Sequence, residues 1–318
     1  MAYSPVRVKT LIPNTEFPFD LFIRVNEKYL LYVHKGDVMD QKRVDKLYNI
    51  DEGVDRLFVT LESQVDYDKF ITKKLDETIE NPDISVDEKV DVVEGSAMTA
   101  MERMEEAPDS KANYKITEKA ANSLRIVVSK NPDALKKIFG KKAKGSDEIM
   151  KHCFNVCAFA CDFASTLGFS EQELDDLGAA CLVHDLGLTK TEEDKLLFKK
   201  EPSKFTPDDK RIYKLHPQGT VDLMKDKPFV NDNVKRMILH HEEKLNGAGL
   251  RGIQKIEEID QVFSLVNLYE KKVSTYGKNY FDAMKEVFEE EVGNYSIKFI
   301  KKFKEFIESR GLFDEDAA

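Results

Sequence analysis

The chain has 318 residues, 41% of them hydrophobic and 34% charged, with a formal net charge of −10. That length leaves room for two domains, and the acidic balance speaks against a general nucleic-acid-binding surface, so no DNA partner is expected. No run reaches the roughly 18 apolar residues that span a bilayer, and the first residues show no basic-then-apolar leader, so a cytoplasmic protein without a membrane partner is expected.

The first unit, residues 1–65, reads as a small α+β domain, regulatory in character. Leu21-Phe22-Ile23-Arg24-Val25 and Tyr29-Leu30-Leu31-Tyr32-Val33 are β-branched and aromatic runs around Asn26-Glu27-Lys28, a hairpin signal. A helix over Gln41–Tyr48 and a strand over Arg56–Thr60 follow, and His34 reads as an ordinary core or surface histidine. Residues 66–114 read as a charged helical linker. Ser85-Val86-Asp87-Glu88 is a capping box, opening a helix with Val90, Val93, Ala97, Met101 and Met104 on one face that stops near Ala107-Pro108. This helix reads either as a connector packed on one of the domains or as a signalling or dimer helix. From 115 to 318 an all-α bundle is predicted, with helices over 117–129, 147–166, 171–184, 207–224, 231–241, 255–275 and 280–310. Cys153, Cys157 and Cys161 form one helical stripe and Cys181 stands apart. Without a C-x-x-C pair they read as packing residues in a reducing compartment.

Five of the six histidines fall between positions 152 and 241: His152, the dyad His184-Asp185, His216, and the pair His240-His241. A lone histidine usually makes one hydrogen bond and nothing more. Five in this spacing, on helices that face one another in a bundle, point to a metal site. Mixed imidazole and carboxylate ligands suit Fe, Mn, Ni, Co or Zn. Asp185 is the natural bridging ligand, since a carboxylate can offer one oxygen to each of two ions.

These residues also carry a resemblance. Ala179-Ala180-Cys181-Leu182-Val183-His184-Asp185-Leu186-Gly187 resembles the "AA-x-LHD-x-G" signature of HD-domain phosphohydrolases, and His240-His241-Glu242 with Asn246-Gly247-Ala248-Gly249 resembles the "HHE…DG-x-G-Y-P" stretch of the HD-GYP subfamily. Leu215-His216-Pro217-Gln218-Gly219 is similar to its "H-P…G" element, and Glu148 with His152 to its opening Glu…His helix. The resemblance covers roughly 148 to 278. It implies a bacterial signalling phosphodiesterase that hydrolyses cyclic di-GMP, to pGpG or GMP, with two or three divalent transition-metal ions, iron foremost and manganese next. It further implies that His184 and Asp185 bind the first pair of ions, that His216, His240 and His241 complete the second, and that Glu148 belongs to a third.

Four positions depart from that pattern. Asn267 stands where the "AD-x-Y-D" aspartate is expected and is carried as a weaker ligand. Leu188 replaces the lysine of "HD-x-G-K", with Lys190 as its substitute beside Asp185 in the catalytic set. Leu250 replaces the tyrosine of the tip, whose proline is also missing before Arg251-Gly252. The basic stretch after the late aspartate shrinks to Tyr276-Gly277-Lys278. Lys190, Gly247, Gly249, Arg251 and Lys278 are therefore the expected substrate contacts. The readings left open are a metallophosphodiesterase, a weakly active or inactive cyclic di-GMP receptor, or a docking protein using the N-terminal domain or the loop at 246–252. A simpler nucleotide phosphohydrolase of the wider HD superfamily would not need the His240-His241 pair.

Overall fold

The computed structural model describes residues 2–11, 13–48, 56–139 and 148–313. Among them the expected hairpin forms as β3 (Leu21–Val25) and β4 (Lys28–Val33), closed by two residues rather than three. Asn26 and Glu27 both take positive φ, 45° and 63°, the tight turn whose twist matches the flanking strands. Asparagine suits that conformation. Glutamate tolerates it here while its carboxylate pairs with Arg24. The sheet is completed by β1 (Tyr3–Arg7) and β6 (Arg56–Thr60), in the antiparallel order β1-β6-β3-β4, and a two-stranded ribbon pairs β2 (Thr15–Glu16) with β5 (Val38–Met39). β1, β2 and β5 escape the sequence reading because they are short and carry little alternation. Helix α1 (Gln41–Tyr48) stands as expected.

Three helices follow: α2 (Gln64–Glu80), α3 (Val86–Glu106) and α4 (Lys111–Lys130). The capping box of α3 is formed in both directions, between Ser85 and Glu88. Its predicted apolar face, Val90, Val93, Ala97, Met101 and Met104, is fully buried. α3 packs on β1 and the following turn on one side and on α4 and α6 (Glu148–Leu167) on the other. Charges stitch the same junction. Arg7 meets Glu102 at 2.5 Å, and Glu94 lies between Lys9 at 2.8 Å and Lys151 at 2.7 Å.

The small strand-containing domain thus leads into a helical one. After α4 come α5 (Ala134–Phe139), α6, α7 (Glu171–Val183), α8 (Glu192–Lys199), α9 (Pro207–Tyr213), α10 (His216–Leu223), α11 (Asp232–His240), α12 (Glu258–Glu270), α13 (Tyr280–Glu290) and α14 (Ile297–Ser309). Two predicted helices are divided. The 207–224 segment breaks before His216, where Pro217 lacks an N–H to continue α9 and instead opens α10. The 280–310 segment breaks at Gly293, whose φ of 91° no helix accepts. α12 begins later than predicted and ends in one wide π-turn over Lys271–Thr275. Phe159 and Phe163 of α6, Tyr269 of α12, and Phe303 and Phe306 of α14 form one ring cluster, which clamps α6 to α12. The cysteines are free and buried, and Cys157 seats against the carbonyl of Gly178 where α6 meets α7. No helix among the described residues is long and apolar enough to cross a membrane.

Candidate metal centre

Four helices deliver the site. α6 presents His152, the end of α7 presents His184 and Asp185, the start of α10 presents His216, and the residue after α11 is His241. Gly187 allows the turn after Asp185 to press on α10, since a Cβ there would fall 2.4 Å from the His216 carbonyl. Thr220 locks that contact. Its hydroxyl accepts from the Gly187 N–H at 2.9 Å and donates to the His184 carbonyl at 2.8 Å.

The four imidazoles are oriented by their Nδ1 atoms. His184, His216 and His241 donate Nδ1–H to the carbonyls of Cys181, Tyr213 and Ile238, at 2.8, 2.7 and 2.6 Å, and His152 donates to the Glu270 carboxylate. Every Nε2 therefore turns a lone pair inward. Burial holds the His184 imidazole down at about 3, so it stays neutral.

Two clusters result. His152, His184 and Asp185 Oδ2 lie 3.3, 3.5 and 3.8 Å from one another, and His216, His241 and Asp185 Oδ1 lie 3.0, 3.2 and 3.5 Å apart. Asn267 joins the first cluster, its Oδ1 2.8 Å from His152 Nε2 while its Nδ2 reaches the His241 carbonyl. Ligands bound at 2.0–2.2 Å and set 90–110° apart are separated by about 3.0–3.5 Å. Both Asp185 oxygens are buried and have no hydrogen-bond donor. Acceptors that converge on acceptors in a dry site are satisfied by a cation, and the donor set fits a divalent transition metal.

Several residues in this environment were not singled out from the sequence. Glu270, fully buried, holds His152 Nδ1 with one oxygen and accepts from Asn155 Nδ2 at 2.7 Å with the other. Its position three residues after Asn267, on the same helical face, was the available signal. Tyr213, Glu242 and Lys271 form a polar triad beside the second cluster. The Tyr213 ring lies 4.6 Å from His216, its hydroxyl donates to Glu242 at 2.5 Å, and Lys271 donates to the Tyr213 oxygen.

Other expected residues stand outside both clusters. His240 and His241 diverge as helical neighbours must: His241 turns inward, while His240 Nδ1 meets Asp260 at 2.7 Å, so the expected ligand pair supplies one member to the clusters. Glu148 lies one turn before His152 but pairs with Lys199 at 2.9 Å and is 38% exposed. Lys190 is exposed beside Gly219, and Lys278 is tied to Glu286. Gly247 has a φ of 74°, and Gly249 lies where a Cβ would come within 2.5 Å of Glu243 Cα. The buried Glu243 carboxylate accepts the N–H groups of Arg251 and Ile253 at 2.5 and 2.8 Å, so it shapes the loop, and Leu250 packs against the core.

Residues 125–260 match the family model described as HD domain. Over 123 residues, 38% of this chain, the sequence is 31% identical to the cyclic di-GMP phosphodiesterase PA4108 of Pseudomonas aeruginosa. The match covers only 28% of that relative's length. Among solved structures the fold is similar to Bd1817, an HDG"Y"P protein from Bdellovibrio bacteriovorus, with a TM-score of 0.77, 21% identity, and 96% of this chain and all of that one covered.

Proposed function

We propose, from the premise that this chain is an HD-domain protein of the HD-GYP type, that it is a cytoplasmic bacterial phosphodiesterase whose substrate is cyclic di-GMP. The observation that carries the reading is the pair of clusters sharing Asp185, with four Nε2 lone pairs and two carboxylate oxygens converging in a buried site. On this reading His152, His184, Asp185 and Asn267 would hold one ion and Asp185, His216 and His241 a second, iron first and manganese next. Such ions supply an activated water and neutralise charge on the phosphate oxygens.

The residues of the chain do the rest. Asp185 fixes the spacing of the two positions, Thr220 and Glu270 hold His184 and His152 in register, and the buried aromatic walls of Phe198 and Phe263 exclude bulk water. Residues 115–318 form the proposed catalytic unit, 66–114 the connection and 1–65 a regulatory domain. A second reading, a slow enzyme acting chiefly as a cyclic di-GMP receptor, is favoured by Leu250, which packs on the core and leaves no aromatic hydroxyl at the tip.

The test is elemental analysis of anaerobically purified protein with cyclic di-GMP turnover on the same sample. Asp185→Ala is expected to lose both ions and all turnover. Stoichiometric metal persisting in that variant would remove the basis of the assignment.

A further inference from the structure

The lysine missing after the His-Asp dyad has a counterpart elsewhere in the fold. After Glu270 the helix widens into a π-turn over Lys271–Thr275, closed by the Tyr276 N–H on the Lys271 carbonyl at 3.0 Å. Such insertions re-aim side chains and recur at functional sites. Lys271 is 5% exposed, unlike Lys190 at the surface. Its ammonium stands 4.9 Å from the Phe198 ring and 5.0 Å from the Tyr213 ring. Those rings lie 5.2 Å from His152 and 4.6 Å from His216, one histidine of each cluster. One aromatic ring thus separates the cation from a histidine of each half of the centre.

Its present partners are incomplete. Tyr213 takes one N–H, and Glu242 lies at 3.5 Å, a long contact for an ion pair. An ammonium has three donors. The Glu242 side chain is 20% exposed, so the triad lies nearest solvent on the Glu242 side. Burial opposes the charge on Lys271, but Glu242 and Asp185 outweigh it and raise its pKa. A carboxylate here is the charge and size of one edge of a phosphate.

We propose that Lys271 is an anion subsite at the rim of the two-cluster centre, where a phosphate oxygen of the substrate takes the place of Glu242 as its partner. That the phosphate belongs to a cyclic dinucleotide rests on the phosphodiesterase reading; the anion subsite does not. Lys271 is then a substrate-binding residue supplied by α12's π-turn in place of the lysine absent at position 188.

The experiment measures inorganic phosphate binding by calorimetry to metal-replete wild type, Lys271→Met, Glu242→Gln and the double variant, with metal content determined on each sample. The double variant guards against Lys271→Met failing to fold around an unpaired carboxylate. Glu242→Gln should tighten phosphate severalfold by removing its competitor. The double variant should bind phosphate about tenfold or more weakly than Glu242→Gln at unchanged metal content, as loss of a charged hydrogen bond implies. A purely structural triad would weaken binding in Glu242→Gln as well, and that result overturns the proposal. So does equal affinity in Glu242→Gln and the double variant, or no phosphate binding by metal-replete wild type. If phosphate affinities follow the expected order while cyclic di-GMP is not hydrolysed, the subsite stands and the phosphodiesterase reading falls. If cyclic di-GMP is hydrolysed and the double variant keeps both its KM and its phosphate affinity, the reverse holds.

Discussion

Glu270→Gln isolates how a carboxylate outside the clusters governs one of them. Glu270 is fully buried, with one oxygen on His152 Nδ1 and the other accepting from Asn155 Nδ2 at 2.7 Å. The amide has the same shape but only one acceptor. Its oxygen can keep the His152 N–H, and its NH₂ then faces Asn155, whose amide can turn its unpartnered Oδ1 to accept. The variant therefore loses the negative charge that makes His152 a stronger base while both hydrogen bonds can be kept. Such partners of ligating histidines contribute 10–100-fold to metal affinity, about 1.4–2.7 kcal/mol. His216 and His241 do not touch Glu270, so the loss should fall on one ion. Metal-free protein titrated with Mn²⁺ against a chromogenic chelator should show two equivalents in wild type, and in Glu270→Gln one of them at its wild-type affinity and the other weakened. Asp260→Asn, which alters the partner of His240 and Arg236 outside both clusters, should leave both equivalents at their wild-type affinity. Equal weakening of both equivalents by Glu270→Gln, or a larger loss in Asp260→Asn, would refute the division of the ligands into these clusters.

Other outcomes follow from the same geometry. Asn267→Asp places a charged oxygen where an amide oxygen now lies 2.8 Å from His152 Nε2, and should slow metal loss to a chelator severalfold; an unchanged rate would put position 267 outside the ligand set. Glu94 gives a pH dependence. Burial works to raise its carboxyl, yet Lys151 and Lys9 bring it down to about 2 from 4.5, so its stabilisation is present above about pH 4.5 and lost as pH falls toward 2. The difference in unfolding free energy between wild type and Glu94→Gln should be on the order of 3 kcal/mol near neutrality and shrink across that window; a pH-independent difference would deny the linkage. Leu250→Tyr with a proline inserted after it should raise cyclic di-GMP turnover if the tip limits catalysis, and fast wild-type turnover left unchanged by the restored tip would make the loop irrelevant.

The two signatures were legible because their chemistry is restrictive: few arrangements use a His-Asp dyad, an isolated His216 and a histidine pair. The helical face of α3 was legible because buried positions recur at the helical period. The partition of His240 from His241 was not, since adjacent residues on a helix point about 100° apart and only the packing of α11 decides which turns inward. Nor could composition separate the charged residues of the site from those of the surface. Glu270 and Lys271 sit in a run, Tyr269-Glu270-Lys271-Lys272, that reads as a solvated face. Packing buries the first three of its residues: Tyr269 in the ring cluster with Phe159 and Phe303, Glu270 against His152 and Asn155, and Lys271 beside Phe198 and Tyr213. Short strands and the breaks at Pro217 and Gly293 escaped because local pattern is weak where only a few residues are involved.

The substitution at 267 and the buried charges around it bear on one another. An amide in place of a carboxylate leaves Asp185 as the carboxylate within the two clusters, so a pair of divalent ions would be less neutralised than with two acidic ligands. Negative charge is instead placed one layer out, at Glu270 against His152 and at Glu242 beside His216. An outer carboxylate strengthens a histidine without filling a ligand position. With two divalent ions bound, it would leave the inner positions open to a water or a phosphate oxygen and the field at the centre positive. Lys271 adds to that field at the side where Glu242 reaches solvent. A site arranged in this way favours capture of an anion over tight retention of its metals. Slow metal loss from wild type together with weak phosphate binding would contradict that ordering.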